Sequence, residues 1–449
     1  MPLDRDTITA ISTAPGVGAI GIVRLSGPLS LQIAEQVIHK KLTPRVACYT
    51  EFYDPQSEIL DKGLCLYFPN PYSFTGEDVV EFQGHGGIIV LNQLLQTVLK
   101  LGARLATPGE FSLRAFLNNK IDLAQAEAIS DLISAKTTQA ARSAVQSLQG
   151  VFSREIRTLH EKLIRLRVYI EAALDFPEEE IDFLSEKEVW GKFEEITLKL
   201  NDIIAKSTKG AVINQGLLLA IVGLPNAGKS SLLNCLAQEE VAIVTDIPGT
   251  TRDLVKAHIH LDGIPLNLVD TAGIRASEDV VEQEGIHRAL AEIEKSDVIL
   301  WVQDCNASSA DEKNNQILLG KLKPYQDKVI SVKSKIDLKN IDNVEQEANP
   351  EIKISVRTGQ GIEDLKRKIK KQVGFSQEED VFLARTRHLD ALHQAKEALI
   401  QAKAEWQVKR HECLAECLKK SHEALGEIVG VFSTEDLLGE IFSSFCIGK

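Results

Sequence analysis

The chain has 449 residues, 44% of them hydrophobic, and a formal net charge of −13 at pH 7. This length predicts about three domains, each with its own core. The acidic balance argues against a protein that coats nucleic acid through a general positive charge. The chain has no apolar run long enough to span a membrane, no N-terminal leader pattern and an odd number of scattered cysteines, so we expect a cytoplasmic protein that does not associate with membranes.

The first part of the chain, residues 1–119, is predicted to mix strands and helices. The run from Gly18 to Leu25 has the composition of a strand. Two polar, glycine-rich stretches, Phe74–Asp78 and Gly84–Gly87, are typical either of a small-molecule site or of plain turns. The residues alone leave both interpretations open.

Helical periodicity begins at Asp122 and continues to Gly150. A second helix is predicted to end at Asp175, and a further one near Ile204. The helical pattern returns after about residue 375. A central domain is therefore predicted to be inserted into a discontinuous helical domain.

The segment Gly223–Ser230 matches the phosphate-binding pattern G-x-x-x-x-G-K-[ST] at every position. An apolar run that predicts a strand precedes it, and Ser231–Leu236 predicts the start of a helix. Such a loop directs backbone N–H groups toward an anion, assisted by the helix dipole. Lys229 is predicted to reach the β- and γ-phosphates, and Ser230 to bind Mg²⁺.

Two further motifs predict a GTPase. Asp270–Gly273 reads Asp-Thr-Ala-Gly after an apolar strand, which suits a Mg²⁺ site beside the γ-phosphate. Between this motif and the phosphate loop, Thr245–Asp253 contains threonines suited to a switch that senses the γ-phosphate.

Selection of guanine is assigned to Asp337, whose carboxylate would pair with the N1 and N2 hydrogens of the base. It belongs to Ser334-Lys335-Ile-Asp337, where many GTPases have Asn-Lys-x-Asp, and Ser334 would reach guanine less well than Asn. Ser355–Gly359 resembles the loop that closes over the base. The predicted GTP contacts are Asn226, Ala227, Gly228, Lys229, Ser230, Ser231, Thr245, Asp246, Ile247, Pro248, Gly249, Thr250, Thr251, Asp270, Thr271, Ala272, Gly273, Ser334, Lys335, Asp337, Ser355, Val356 and Arg357.

The catalytic residue expected after Asp-x-x-Gly is missing. Ras-like enzymes use a Gln there to orient water, but this chain has Ile274, which cannot hydrogen-bond to water. Asn226, whose carbonyl oxygen could hold a monovalent cation, and Glu282, which could equally lie at a solvated helix start, are the candidate substitutes.

The chain ends with Phe445-Cys446-Ile-Gly-Lys449. This ending, with Gly-Thr-Thr-Arg-Asp at 249–253 and Asn-Ala-Gly-Lys at 226–229, resembles the MnmE (TrmE) family of GTPases that modify tRNA uridines. The resemblance covers essentially the whole chain. It implies a fold with an N-terminal α+β folate-binding domain (1–119), a helical domain in two parts (120–213 and 375–449) and an inserted Ras-like P-loop G domain (214–374).

The resemblance also implies residue roles. Ser230 and Thr251 would bind Mg²⁺, while Asn226 and the carbonyl groups of Thr245, Ile247 and Thr250 would bind K⁺. Catalysis would involve Glu282, Asn226, Lys229, Arg252, Asp253, Arg275 and Cys446, and Cys446 could equally be a packed residue. A reduced folate, 5,10-methylene- or 5-formyl-tetrahydrofolate, would contact Arg24, Glu81, Lys120 and Lys449.

The function implied is a K⁺-activated GTP hydrolase that acts as a homodimer through dimerisation of its G domains. With the FAD-containing flavoprotein MnmG (GidA), in a heterotetramer or larger complex, it would add an aminomethyl or carboxymethylaminomethyl group at C5 of the wobble uridine of certain tRNAs. A GTPase binding module, such as a ribosome-assembly factor, is the alternative.

Overall fold

A computed structural model describes residues 6–135, 137–175, 186–239, 255–261, 264–270, 293–338, 351–372, 381–431 and 434–443, with 445 and 448. The chain divides into two compact units. The first contains Met1–Ser130, Ser147–Ile196 and Gln394–Lys449, and the second contains Asp131–Gln146 and Thr197–His393.

The first unit begins with a six-stranded sheet of order β3-β4-β5-β2-β1-β6. Its neighbouring strands are antiparallel except for β1 and β6, which are parallel. The strands are β1 (Ile8–Ile11), β2 (Gly18–Ser26), β3 (Cys48–Tyr53), β4 (Ile59–Phe68), β5 (Val79–Gly86) and β6 (Arg104–Leu105). The strand predicted from Gly18 is thus observed as β2.

Helices cover this sheet unevenly. Helices α1 (Ser30–Ile38) and α2 (Ile88–Lys100) bury one face around Phe52 and Phe82, whose rings meet edge to face at 5.4 Å. Helix α3 (Glu110–Leu117) covers the other face at β1 only, where Phe111 packs on Ile8. The rest of that second face keeps the half-buried side chains of β2, β4 and β5.

Helices complete the first unit. Helix α4 (Leu123–Ser134) follows α3, and the long helix α6 (Val151–Asp175) packs along α12 (His411–Val429). The last helix, α13 (Glu435–Ser443), places Phe442 in an apolar cluster with Phe116. Phe442, near the end of the chain, therefore packs on α3, which lies in the first third of the sequence.

The second unit contains a six-stranded sheet of order β12-β11-β10-β7-β9-β8. It is parallel except for the antiparallel pair β8 and β9. Its strands are β7 (Leu217–Val222), β8 (Val255–Leu261), β9 (Ile264–Asp270), β10 (Val298–Asp304), β11 (Val329–Ser334) and β12 (Ile352–Lys353). Helices α8 (Lys229–Glu239) and α10 (Ile362–Gln372) contribute to the core on one face, and α9 (Ser309–Leu322) packs on the other. This is a doubly wound P-loop domain.

Three further helices contribute residues to the second unit. They are α5 (Thr138–Leu148), α7 (Glu186–Gln215) and α11 (Thr386–Gln407). The apolar segment Val381–Ala384 is buried, and the carbonyl oxygen of Phe382 lies 1.8 Å from where a Cβ on Gly210 would stand. We call Gly210 of α7 and Val381–Ala384 together the neck.

The helical pattern predicted from Asp122 to Gly150 is two helices and not one. A break after Ser134 separates α4 from α5, because the Thr137 hydroxyl accepts a hydrogen bond from the Ala140 N–H (3.0 Å) and starts a new helix. The helix predicted to end near Ile204 continues to Gln215, directly before β7. The four domain boundaries drawn from the sequence remain predictions.

Candidate functional site

The phosphate loop connects β7 to α8, as predicted. Gly223 lies so close to β10 that a Cβ on it would stand 2.2 Å from the Val302 carbonyl oxygen. Asn226 (φ +61°) and Gly228 (φ +93°) have left-handed backbones, which turn the chain tightly into α8.

The polar side chains at the end of this loop are placed to contact a bound nucleotide and its metal ion. The Lys229 ammonium group donates hydrogen bonds to the Gly223 and Leu224 carbonyl oxygens, both at 2.8 Å, so its positive charge stays at the loop. Ser230, in the first turn of α8, is exposed and presents the hard oxygen that Mg²⁺ prefers. Ser231 is exposed beside it.

Ser334 lies under the phosphate loop. Its hydroxyl is buried, donates to the Ala227 carbonyl oxygen at 2.6 Å and lies 3.1 Å from the Gln303 carbonyl oxygen. The side chain is therefore turned toward the phosphate loop, where it connects β11 to the loop backbone.

The other residues predicted to recognise the base lie on the loops that follow β11 and β12. The Ser355 hydroxyl donates to the Asp337 carboxylate at 2.7 Å, which fixes the orientation of that carboxylate. Lys335 (φ +61°) forms an ion pair with Asp304 at 2.7 Å. Val356 packs on the domain core, and Arg357 next to it is exposed.

Other predicted GTPase residues are described partly or not at all. Asp270 ends β9 and pairs in register with Ile221 of β7, so its backbone lies next to the strand that enters the phosphate loop. The predicted residues outside the described part of the chain are Thr245, Asp246, Ile247, Pro248, Gly249, Thr250, Thr251, Arg252, Asp253, Thr271, Ala272, Gly273, Arg275, Glu282, Cys446 and Lys449.

A second constellation lies on the open face of the N-terminal sheet. Arg24 of β2 and Glu81 of β5 are direct cross-strand neighbours, joined by an ion pair at 2.8 Å. Gln83 donates to the same carboxylate at 3.2 Å, and the Arg24 guanidinium lies 5.8 Å from the centre of the Phe111 ring. These residues form a polar group at the edge of an apolar surface.

Two other parts of the chain lie near this face. Lys120 follows α3, and its side chain lies against Gly76, because a Cβ on Gly76 would stand 3.0 Å from Lys120 Cε. The Gly448 carbonyl oxygen accepts a hydrogen bond from the Ser12 hydroxyl at 3.2 Å, directly after β1. Gly448 thus lies beside the sheet that carries Arg24.

Comparisons with known proteins cover the whole chain. Residues 7–120 match the model of the GTP-binding protein TrmE N-terminus, and residues 123–446 match that of the MnmE helical domain. The tRNA modification GTPase MnmE of Pseudomonas syringae pv. syringae is 50% identical over 456 residues, with 100% of both chains covered. The MnmE of Hydrogenovibrio crunogenus is 50% identical over 449 residues and covers 99% of both.

The chain belongs to the MnmE family of tRNA modification GTPases. The predicted fold class is confirmed, as is the predicted enzyme class, a GTP hydrolase that acts in tRNA modification. Solved structures similar to part of this MnmE-family chain include a variant of Aquifex aeolicus Era bound to GDP.AlF4-, at 28% identity and a TM-score of 0.28, which covers 40% of this chain and 66% of its own. The G domain of the T. maritima FeoB iron transporter matches at 26% identity and a TM-score of 0.27, and the match covers 35% of this chain and 98% of that one.

Within the described residues, no helix has the length and apolar character needed to cross a membrane.

One polar network of this MnmE-family chain was not predicted. Arg114 is almost buried and pairs with Asp6 (2.6 Å), Glu110 (3.0 Å) and Glu77 (3.1 Å). Ser26 also donates to Glu77, at 2.7 Å. Burial alone would raise the pKa of Asp6, but hydrogen bonds from Arg104 and Arg114 outweigh it and lower that pKa.

This network fixes the loop around Gly76 that contacts Lys120. The i, i+4 spacing of Glu110 and Arg114 in a helix was a readable signal for one of its pairs. The ion pairs of Arg114 with Asp6 and Glu77 join residues far apart in the chain, so no local sequence pattern predicts them.

Proposed function

We propose that this MnmE-family chain is a K⁺-activated GTPase that modifies C5 of the wobble uridine in certain tRNAs, together with a flavoprotein partner of the MnmG (GidA) type. The added group is carboxymethylaminomethyl or aminomethyl, with glycine or ammonium as the nitrogen source. The observation that carries the proposal is that one chain combines a phosphate loop braced by Ser334 with an Arg24–Glu81 pair on an open N-terminal face.

GTP binding rests on the residues of the second unit. Lys229 holds its charge at the phosphate loop, and Asp337, oriented by Ser355, provides the carboxylate for guanine. Ser230 and Thr251 would hold Mg²⁺, and the exposed Ser230 hydroxyl supports this assignment. Bound Mg²⁺ would neutralise charge that develops on the β- and γ-phosphate oxygens.

The K⁺ site would use the Asn226 side chain and the carbonyl groups of Thr245, Ile247 and Thr250. The exposed amide of Asn226 lies at the left-handed turn of the phosphate loop, and its oxygen is a suitable cation ligand. Bound K⁺ would supply positive charge where other GTPases use an arginine finger. Glu282 would orient the attacking water, and Arg252, Asp253 and Arg275 would order the switch segments.

The N-terminal face would bind a reduced folate as the one-carbon donor. Arg24 and Glu81 offer a donor and an acceptor to a pterin-like ring, and half-buried apolar side chains surround them. Lys120 and Lys449 would meet the acidic tail. The bond from Ser12 to Gly448 supports a position for Lys449 near this face, and Cys446 would provide a thiol in the same tail.

Homodimer formation would use the N-terminal sheet. Val17, Ile20, Ile88 and Ile89 are large apolar residues that expose half or more of their surface. Gly18 pairs with Gly86, which brings both segments together in one exposed apolar patch. Patches of this kind mark protein interfaces, and we propose that a second copy covers it. The FAD would belong to the partner protein, and the whole complex would act in the cytoplasm.

Mass spectrometry of tRNA nucleosides tests the proposal. In cells that lack this protein, we expect the C5-modified wobble uridines to disappear and to return when the wild-type gene is restored. Restoration with Lys229→Ala, which removes the phosphate-loop ammonium group, should fail. Unaltered nucleosides in the deletion strain would contradict the proposal and favour a GTPase binding module such as a ribosome-assembly factor.

A further inference from the structure

A cavity of about 480 Å³ lies within the first unit, beside Lys120. The end of α3, the start of α4, helix α6 and the end of α12 form its walls, with Phe116, Lys120, Gln125, Arg157, Val431 and Leu438 among the lining residues. Its volume lies within the range of sites that bind small molecules, which is about 300–1,000 Å³.

One wall of the cavity is apolar. Gly430 ends α12 with φ +83°, and a Cβ there would stand 2.7 Å from the Phe116 ring. The α12 end can therefore approach Phe116 only because residue 430 is glycine. Phe116 and Val431 both line the cavity, and aliphatic groups of a ligand could pack on them.

Three charged side chains also line the cavity, those of Lys120, Arg157 and Asp122. Within the described part of the chain, the Lys120 ammonium group has no ion-pair partner. Arg157 pairs with Asp122 through Nη2 at 2.7 Å, but its side chain is 55% exposed and its other N–H groups remain available. Asp122 also accepts hydrogen bonds from Ser153 (2.9 Å) and the Gln125 N–H (2.9 Å), so its charge is shared among several donors.

Lys120 connects this cavity to the proposed folate face. Its side chain lies against Gly76, and the hydroxyl of the neighbouring Thr75 lies 2.7 Å from that of Ser26. Ser26 stands two residues after Arg24 on β2. A ligand held by Arg24 and Glu81 that extends past Gly76 would thus meet Lys120 and then Arg157.

We propose that the cavity binds the γ-linked glutamate tail of the reduced folate, and that Arg157 determines a preference for polyglutamylated forms. The inference rests on the proposed folate function. Each glutamate of such a tail adds one carboxylate and a short methylene chain, which match a cavity with two cations and an apolar wall. An Arg–carboxylate hydrogen bond is charge-assisted and strong enough to discriminate between tail lengths.

Calorimetric titration with the mono- and triglutamate forms of 5-formyl-tetrahydrofolate tests this inference in the full-length protein. The wild type should bind the triglutamate about tenfold more tightly than the monoglutamate. Arg157→Ala should lose most of this preference and keep its affinity for the monoglutamate, and Arg157→Lys should keep part of the preference. The matched control is Arg154→Ala on the same helix, since Arg154 is exposed and donates to the Gln149 carbonyl oxygen.

The outcomes separate the two proposals. If the wild type binds both forms equally, or if Arg157→Ala keeps the preference, the tail site is wrong while folate binding stands. If neither form binds, the proposed folate function fails as well. Loss of tRNA affinity in Arg157→Ala with an intact preference would assign this surface to RNA phosphates. GTP hydrolysis at the wild-type rate and a cooperative thermal unfolding transition in all three variants establish that they are folded.

Discussion

Ser334 departs from the Asn-Lys-x-Asp motif, but its side chain stabilises the phosphate loop. Its hydroxyl is too short to take the place of an Asn side chain at the base, yet it connects β11 to the phosphate loop through the Ala227 carbonyl oxygen. Asp337, whose carboxylate accepts a hydrogen bond from Ser355, remains the residue predicted to select guanine. The departure therefore affects the support of the loop more than the choice of base.

Ser334→Ala should weaken GTP and GDP binding equally, by about three- to tenfold, since one buried hydrogen bond contributes roughly 0.5–1.5 kcal/mol. Titration with a fluorescent guanine nucleotide measures the change. Ser331→Ala is the matched control, because this serine of the same strand bonds to Gln303 and touches no predicted nucleotide contact. A loss of preference for GTP over ATP in Ser334→Ala would instead assign Ser334 to the base.

Among the helices, the neck is a tight contact between α7 and the segment that precedes α11. Gly210 of α7 lies against the backbone of Phe382, whose carbonyl oxygen would stand 1.8 Å from a Cβ at position 210. Lys206, one turn earlier, lies 5.7 Å from the Phe382 ring centre, and Arg385 pairs with Asp131 at 2.7 Å. These contacts join α7, the segment that precedes α11 and the end of α4 within the second unit.

Gly210→Ala should destabilise the protein by about 1–3 kcal/mol, because the added Cβ would meet backbone atoms that cannot rotate away. Gly191→Ala in the same helix has nothing within 4 Å and should stabilise it by up to about 1 kcal/mol, because alanine favours helix. Urea unfolding followed by circular dichroism compares the two. Equal effects of the same sign would show that the neck is not tightly packed.

A pair of stacked histidines joins α6 to α12. The rings of His160 and His422 lie 4.2 Å apart. Burial and the neighbouring His422 lower the pKa of His160 to about 4, against the opposing effect of Glu161. Burial and Arg167 lower the pKa of His422, opposed by Glu423.

Acid should therefore weaken this helix pair. Below about pH 6.5, the unfolded chain takes up protons on these histidines, while the folded form of His160 stays neutral down to about pH 4. Stability is thus lost as the pH falls through this window. Melting temperatures measured from pH 7 to pH 4.5 should fall less steeply in His160→Phe than in the wild type. Parallel curves would exclude the histidine pair as the cause.

Across the whole molecule, features that follow from local sequence could be predicted, whereas contacts between residues distant in the chain could not. The order of strand, glycine-rich loop and helix around Gly223 follows from local sequence, and so does the insertion of a G domain between helical segments. The contact of Ser334 with Ala227 and the Arg114 network join residues distant in the chain, and only the fold brings them together. The break at Thr137 was missed because the apolar spacing continues across it, while a single side-chain cap decides the helix boundary.

The exposed apolar patch of Val17, Ile20, Ile88 and Ile89 predicts a dimer. Ile89→Asp places a charge on a residue that is 71% exposed, so it should leave the fold intact and weaken self-association at least tenfold. Light scattering after size exclusion measures the mass. Val168→Asp on α6, another exposed apolar residue, is the control and should remain dimeric. A monomeric wild type, or a dimeric Ile89→Asp, would place the interface elsewhere.

Asn226 in the phosphate loop, and Ile274 where other GTPases have Gln, together predict that GTP hydrolysis depends on a monovalent cation. The most direct test is the steady-state rate of GTP hydrolysis in KCl and in NaCl at equal ionic strength. We expect K⁺ to accelerate the wild type by at least about tenfold, because the charge it supplies replaces an arginine finger that is worth roughly 10³–10⁵ in rate. Asn226→Ala should lose this acceleration and still bind GDP. Equal rates in the two salts, or an undiminished K⁺ effect in Asn226→Ala, would contradict the account.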